Sequence, residues 1–174
     1  EAINHGGLAN KINVTVKWID SEELEKQNQN FNNLFKDINA IIVPGGFGQR
    51  GSEGKINAIN FARINNVPFL GICFGMQMAV IEYARNVLNL KNASSSEFGK
   101  TKLPLIGLLT EWQTKKGLEK RNKDSNLGGT MRLGSYDCKL SKDSLIKSIY
   151  QKKIISERHR HRYEVNNKYI PDFK

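Results

Sequence analysis

A chain of 174 residues with 39% hydrophobic and 25% charged side chains can form one globular domain with a full apolar core. No apolar run is long enough to cross a bilayer. The opening Glu1-Ala2-Ile3-Asn4-His5-Gly6-Gly7 has neither the basic start nor the apolar centre of a signal peptide. Two cysteines, Cys73 and Cys138, do not make a disulfide framework, so a reducing, cytoplasmic setting is expected. The formal charge of +10 invites a nucleic-acid reading. The excess, however, sits on scattered positions such as Lys115, Lys116, Lys120 and Lys123, not on a basic stripe interleaved with aromatics. Neither nucleic acid nor membrane is expected as a partner.

The chain opens on what reads as the end of a helix, closed by a glycine cap at Gly6 or Gly7. Residues 12–18 alternate Ile12, Val14, Val16 and Trp18 with polar Asn13, Thr15 and Lys17, the pattern of a half-buried strand without a clear upstream partner. An Asn-rich polar connection begins at Asp20. Residues 38–43 are almost continuously apolar, as buried parallel strands are. They run into Pro44-Gly45-Gly46-Phe47-Gly48-Gln49-Arg50-Gly51, where clustered glycines free backbone N–H groups to face a crevice. A plain turn is the alternative. A crossover helix over 54–65, apolar at Ile56, Ile59, Phe61 and Ala62, leads to a second apolar strand at 68–72.

The chain is organised around Pro68-Phe69-Leu70-Gly71-Ile72-Cys73-Phe74-Gly75-Met76-Gln77. Its first half is the second strand and its second half starts a helix with apolar residues at Met76, Val80, Ala84 and Val87. Cys73 lies between two glycines at the corner, where the unpaired N–H groups of a new helix favour thiolate over thiol. This is the cysteine counterpart of the G-x-S-x-G elbow. The competing reading is a core cysteine that ends a strand. Both Cys73 and the glycine loop fall at carboxyl ends of strands, the edge where open α/β sheets bind ligands.

Beyond the elbow, residues 89–102 read as a Ser- and Asn-rich loop in which Glu97 is by itself a solvated carboxylate. Residues 105–109 are another apolar strand, and 113–126 a charged, mobile connection. A β section runs from Gly128 to Cys138, followed by a short helix over 142–150 with Leu145, Ile146 and Ile149 inward. In Glu157-Arg158-His159-Arg160-His161-Arg162-Tyr163-Glu164-Val165, alternation places the three arginines on one face of a strand and His159, His161 and Tyr163 on the other. That arginine face is either solvated or a clamp for a carboxylate. No Cys/His spacing suggests zinc and no P-loop is present.

The ordered motifs Pro44-Gly45-Gly46-Phe47-Gly48, Gly71-Ile72-Cys73-Phe74-Gly75-Met76-Gln77, Gly128-Gly129-Thr130-Met131-Arg132-Leu133-Gly134 and Glu157 to Asn167 resemble the class I glutamine amidotransferase domain of the CTP synthases. The resemblance covers nearly the whole chain. It implies an open, mostly parallel α/β sheet flanked by helices, of flavodoxin-like type, and a glutaminase that supplies ammonia for the ATP-dependent amination of UTP to CTP. By position, Cys73 matches the nucleophile and the N–H groups of Gly46 and Phe74 match the oxyanion hole. Phe47 and Arg162 match the holders of the glutamine α-carboxylate, while Gln77 and Glu97 match groups that orient the substrate, Glu97 taking its α-ammonium. Arg50, Gly51, Glu53 and Gly54 resemble a lid loop tied to GTP activation. No metal or organic cofactor is implied for glutamine hydrolysis; ATP, Mg2+ and GTP belong to the whole enzyme, a homotetramer whose synthase domain lies on the same polypeptide.

One departure stands out. The family completes its triad with a His-Pro-Glu segment, whereas this chain has only His5, His159 and His161 and no His-x-Glu after Glu164. Residues 1–174 are therefore expected to be a single domain incomplete at both ends. The rival expectations are a catalytically incomplete domain that binds glutamine or a regulator, and another class I amidotransferase.

Overall fold

Residues 1–26, 28, 30–108, 111–114, 117–120 and 131–173 are described by the computed structural model, with the backbone alone at 111–114 and 117–120. Two short parallel strands carry the elbow. β1 (Ile41–Val43) pairs with β2 (Phe69–Gly71), with Ile41 opposite Phe69 and Val43 opposite Gly71. Parallel neighbours need a crossover, which α3 (Ser52–Ile64) supplies once α1 (Ala2–Ala9) and α2 (Phe31–Leu34) have passed. The chain then turns from β2 into α4 (Phe74–Asn86).

The core forms where α3 and α4 meet this strand pair. Ile56, Ala58, Ile59 and Ala62 from α3 and Phe74, Met78, Ile81 and Ala84 from α4 are buried with Ile41 and Val43. The expected stripe on α4 is thereby corrected: Ala84 is inside, but Met76 and Val87 face outward. Helix α4 packs on α3, on β1 and β2, and on β4 (Leu103–Leu108). Apolar residues on several sides of a helix satisfy more than one 3.6-residue stripe, so only the neighbours decide which is buried. Glu82 is buried on the same helix, held by Arg63 at 2.8 Å and by the Asn86 amide at 3.1 Å.

A second sheet contains β3 (Ala93–Ser95), parallel to β4, and β9 (Tyr163–Val165), antiparallel to β4 with Ile106 opposite Val165. The α/β class stands, with the parallel pairs divided between two sheets. Strand β3 lies inside the stretch expected to be loop; three residues, two of them serines, carry no strand pattern. Similarly, β5 (Glu111–Thr114) and β6 (Gly117–Lys120) form an antiparallel hairpin where a charged connection is expected. Lys115, Lys116, Lys123 and Gly128 to Thr130 of the third motif lie outside the described residues.

The third unit is an antiparallel ribbon of β7 (Arg132–Lys139) and β8 (Ile154–His161), joined through α5 (Leu145–Tyr150). Ser144 caps α5 by accepting the Lys147 N–H at 3.2 Å. The inward face expected of α5 is not observed, because Leu145 is 74% and Ile149 64% exposed. At the other end of the chain, α1 continues through Gly6 and Gly7 and ends at Asn10, so neither glycine is the cap. Gly7 is buried instead: a Cβ there would lie 2.7 Å from Val14 Cγ2. Residues 12–19 form no strand among the described residues, and Trp18 is exposed. Among the described residues no helix is long and apolar enough to cross a membrane.

Candidate active site

The corner between β2 and α4 is built by close approach. Ile72 N–H donates to Val43 O at 3.0 Å, and Gly75 N–H donates to Ile72 O at 2.9 Å. A Cβ on Gly75 would lie 2.0 Å from Val43 O, and one on Gly71 would lie 2.7 Å from Gly75 C and Met76 N. Any side chain at either position collides with backbone, so both glycines are demanded. Cys73 adopts φ 53°, ψ −106°, a conformation L-residues rarely hold, which stores on the order of 1–3 kcal/mol. Such strain in a non-glycine residue is characteristic of functional sites. The side chain is exposed at the mouth of α4, so the core-cysteine reading does not hold. Its polar contact is the Arg160 carbonyl, 3.9 Å from Sγ.

The glycine loop after β1 reaches this corner. Gly45 lies against Cys73 and Gly46 against the Phe74 ring, so the structure places Gly46 beside Phe74. Phe47 projects outward, 89% exposed. Gly48, with φ +80°, donates its N–H to Glu97 Oε1 at 2.7 Å. Glu97 itself follows β3, its N–H bound by Ser95 Oγ at 3.1 Å. The carboxylate thus stands beside the loop, not in solvent.

Gln77 is buried one helical turn after Cys73, and its amide donates to Tyr163 O at 2.7 Å. The same carbonyl lies 3.2 Å from His161 Nδ1. Because a carbonyl only accepts, His161 carries its proton on Nδ1 and offers Nε2 as acceptor to His159 Nδ1, 2.8 Å away. This assignment follows from the hydrogen-bond network. Burial, then Arg132 and His161, lowers the His159 pKa below its ordinary value. Burial, then nearby Glu97, raises the Tyr163 phenol. The two histidines are engaged with each other and with Tyr163, and among the described residues no histidine bonds Cys73.

Arg162 sits at the break between β8 and β9, where the chain leaves one sheet for another. Alternation therefore holds for Arg158 and Arg160, which are exposed, but not for half-buried Arg162. Among the described residues its buried Nε has no hydrogen-bond partner, which suits an arriving anion. The lid-like residues are differently placed. Arg50 pairs with Glu22 at 2.6 Å, and Glu53 with Arg85 at 2.8 Å. Gly51 is left-handed at φ 67°, and a Cβ on Gly54 would lie 1.8 Å from Ser21 O, so these two glycines admit the segment around Ser21. Among the described residues no group of three His, Cys, Asp or Glu is arranged to hold a metal.

The family model for glutamine amidotransferase class-I matches residues 1–174. The chain belongs to the class I glutamine amidotransferases. CTP synthase of Pelagibacter ubique is 59% identical over 166 residues, 95% of this chain and 30% of that protein. CTP synthase of Sphingopyxis alaskensis is 56% identical over 169 residues, 97% of this chain and 31% of that protein. The chain thus spans about 30% of the length of these curated relatives. The solved glutaminase domain of Trypanosoma brucei CTPS, with bound acivicin, superposes with a TM-score of 0.82 at 37% identity, over 98% of this chain and 62% of that one. Over nearly its whole length this amidotransferase domain is thus similar to the glutaminase region of CTP synthases. The amidotransferase's site also uses groups that sequence reading does not mark: the carbonyls of Arg160 and Tyr163. Main-chain acceptors leave no signal in residue identity.

Proposed function

We propose that this domain hydrolyses the side-chain amide of L-glutamine through a γ-glutamyl thioester on Cys73. The strained, exposed Cys73 at the mouth of α4 is the observation that carries the reading. Its thiolate attacks the amide carbon, and the resulting oxyanion is met by the N–H groups of Gly46 and Phe74. Losing one such donor costs roughly 3–4 kcal/mol of transition-state stabilisation. Collapse breaks the C–N bond and releases ammonia, which takes up a proton as it leaves; water then cleaves the thioester to glutamate and restores the thiol. The Arg162 guanidinium and Phe47 N–H hold the α-carboxylate, Glu97 takes the α-ammonium, and Gln77 orients the site through its bond to the Tyr163 carbonyl. The mechanism needs a base for the thiol proton. The His-x-Glu of the resemblance would fill that role, since His159 and His161 are engaged elsewhere.

In a longer protein the ammonia would pass to a synthase domain that aminates UTP to CTP with ATP and Mg2+, under GTP activation, in a cytoplasmic homotetramer. The similarity to CTP synthases about three times as long as this chain supports that role. A second reading is a domain that binds glutamine without turning it over; the lack of a histidine on Cys73 among the described residues favours it. Two measurements separate them: ammonia release from glutamine, and acivicin labelling mapped by mass spectrometry, both beside Cys73→Ala. Release and labelling that vanish in Cys73→Ala support the thioester route. Labelling of Cys73 without release supports the binding domain. Ammonia release that survives Cys73→Ala would falsify the mechanism.

A further inference from the structure

We infer that Glu97 is a positioning residue that latches the glycine loop to the body of the domain. Among the described residues, a single hydrogen bond joins residues 44–48 to the rest of the protein: Gly48 N–H to Glu97 Oε1, 2.7 Å, spanning 49 positions of sequence. The loop otherwise leans on the elbow through Gly45 against Cys73 and Gly46 against Phe74, contacts that glycines make without side chains to hold them. Three glycines in the segment make the untethered loop costly to order. A charged acceptor aimed at a backbone N–H is the stronger kind of hydrogen bond. The carboxylate is itself set by the Ser95 cap on its own N–H and by the wall of the site near Tyr163. Its Oε2 receives no hydrogen bond among the described residues. Oε1 can therefore hold the loop while Oε2 remains for a cation. One carboxylate then ties the loop carrying the Gly46 and Phe47 N–H groups to the ammonium end of the substrate. The latch is a property of the fold; its consequence for oxyanion placement rests on the glutaminase reading.

Amide hydrogen–deuterium exchange of the ligand-free whole chain tests the latch without reference to activity. Exchange in residues 45–48 should be at least tenfold faster in Glu97→Ala and in Glu97→Asp, whose shorter side chain keeps the charge but withdraws the oxygen. It should return to within threefold of wild type in Glu97→Gln, whose amide oxygen still accepts. Protected amides in α4 report whether each variant is folded, and the Asp variant provides the reading if Ala loses that protection. Equal loop exchange in wild type, Ala and Asp overturns the latch, and so does a Gln variant as fast as Ala. Acivicin labelling of wild-type Cys73, run in parallel, reports separately on the glutaminase reading.

Discussion

The elbow and the β7–α5–β8 ribbon are held by different physics. Around the elbow, Met78, Ile81 and Ala84 are fully buried, and Gly71 and Gly75 let backbone touch backbone. In the ribbon, eight consecutive pairs from Arg132–His161 to Lys139–Ile154 keep the strands in register, while Leu133, Leu145, Ile149 and Ile154 are exposed. Dense packing tolerates no added atom. A ladder with few neighbours tolerates many side chains, because it depends on main-chain bonds. Cys73 is thus mounted on the least forgiving part of the molecule, and the arginine-bearing strand on a more permissive one.

Substitutions can sharpen this contrast, beginning with the largest effect. Gly75→Ala drives a Cβ into Val43 O and should cost about 3 kcal/mol or more, seen as a collapse of the urea midpoint. Gly107→Ala in β4, where a Cβ meets nothing within 4 Å, should cost far less in the same measurement. Arg63→Met leaves Glu82 buried without its cation. Its cost should be about 2–3 kcal/mol, at the low end for such pairs because Arg63 is 35% exposed. Chemical denaturation of that variant should show it, and Glu82→Gln added to it should recover part of the loss.

Cys73→Gly works in the opposite direction. Relief of the φ 53° strain should outweigh the added entropy of the unfolded glycine and stabilise the domain by about 1 kcal/mol, while acivicin labelling disappears. A melting temperature below wild type would show that the corner is not strained.

The ribbon should respond to pH instead. His159 has a folded pKa below 6.5, so the fold disfavours its protonated form. A lowered pKa contributes stability that is complete above the unfolded value and is lost as pH falls through the folded one. The facing groups are Arg132 and His161, which lower it, and Glu164 and Glu157, which raise it. Melting temperature should decline below about pH 6.5, and His159→Gln should flatten that decline. The smallest effect belongs to Leu145→Ser on α5, expected to change stability by no more than about 0.5 kcal/mol in thermal melts.

What sequence alone determined is the elbow. The strand, Gly71, Cys73 and the following helix are local, whereas the steric reason for Gly75 is the Val43 carbonyl of β1, reached only through the parallel strand pair. The crossover helix was equally legible, observed at Ser52–Ile64 against an expected 54–65. The family resemblance added Gly46, Phe47, Glu97 and Arg162 as candidates, but not what holds them. Tertiary structure decided that Glu97 bonds the Gly48 N–H, that Gln77 bonds a carbonyl 86 residues away, and that Arg162 falls at a break between sheets. It also decided which side of α4 is buried and that α5 lies exposed. A periodic pattern states that a face is apolar; only the neighbouring elements determine whether anything covers it.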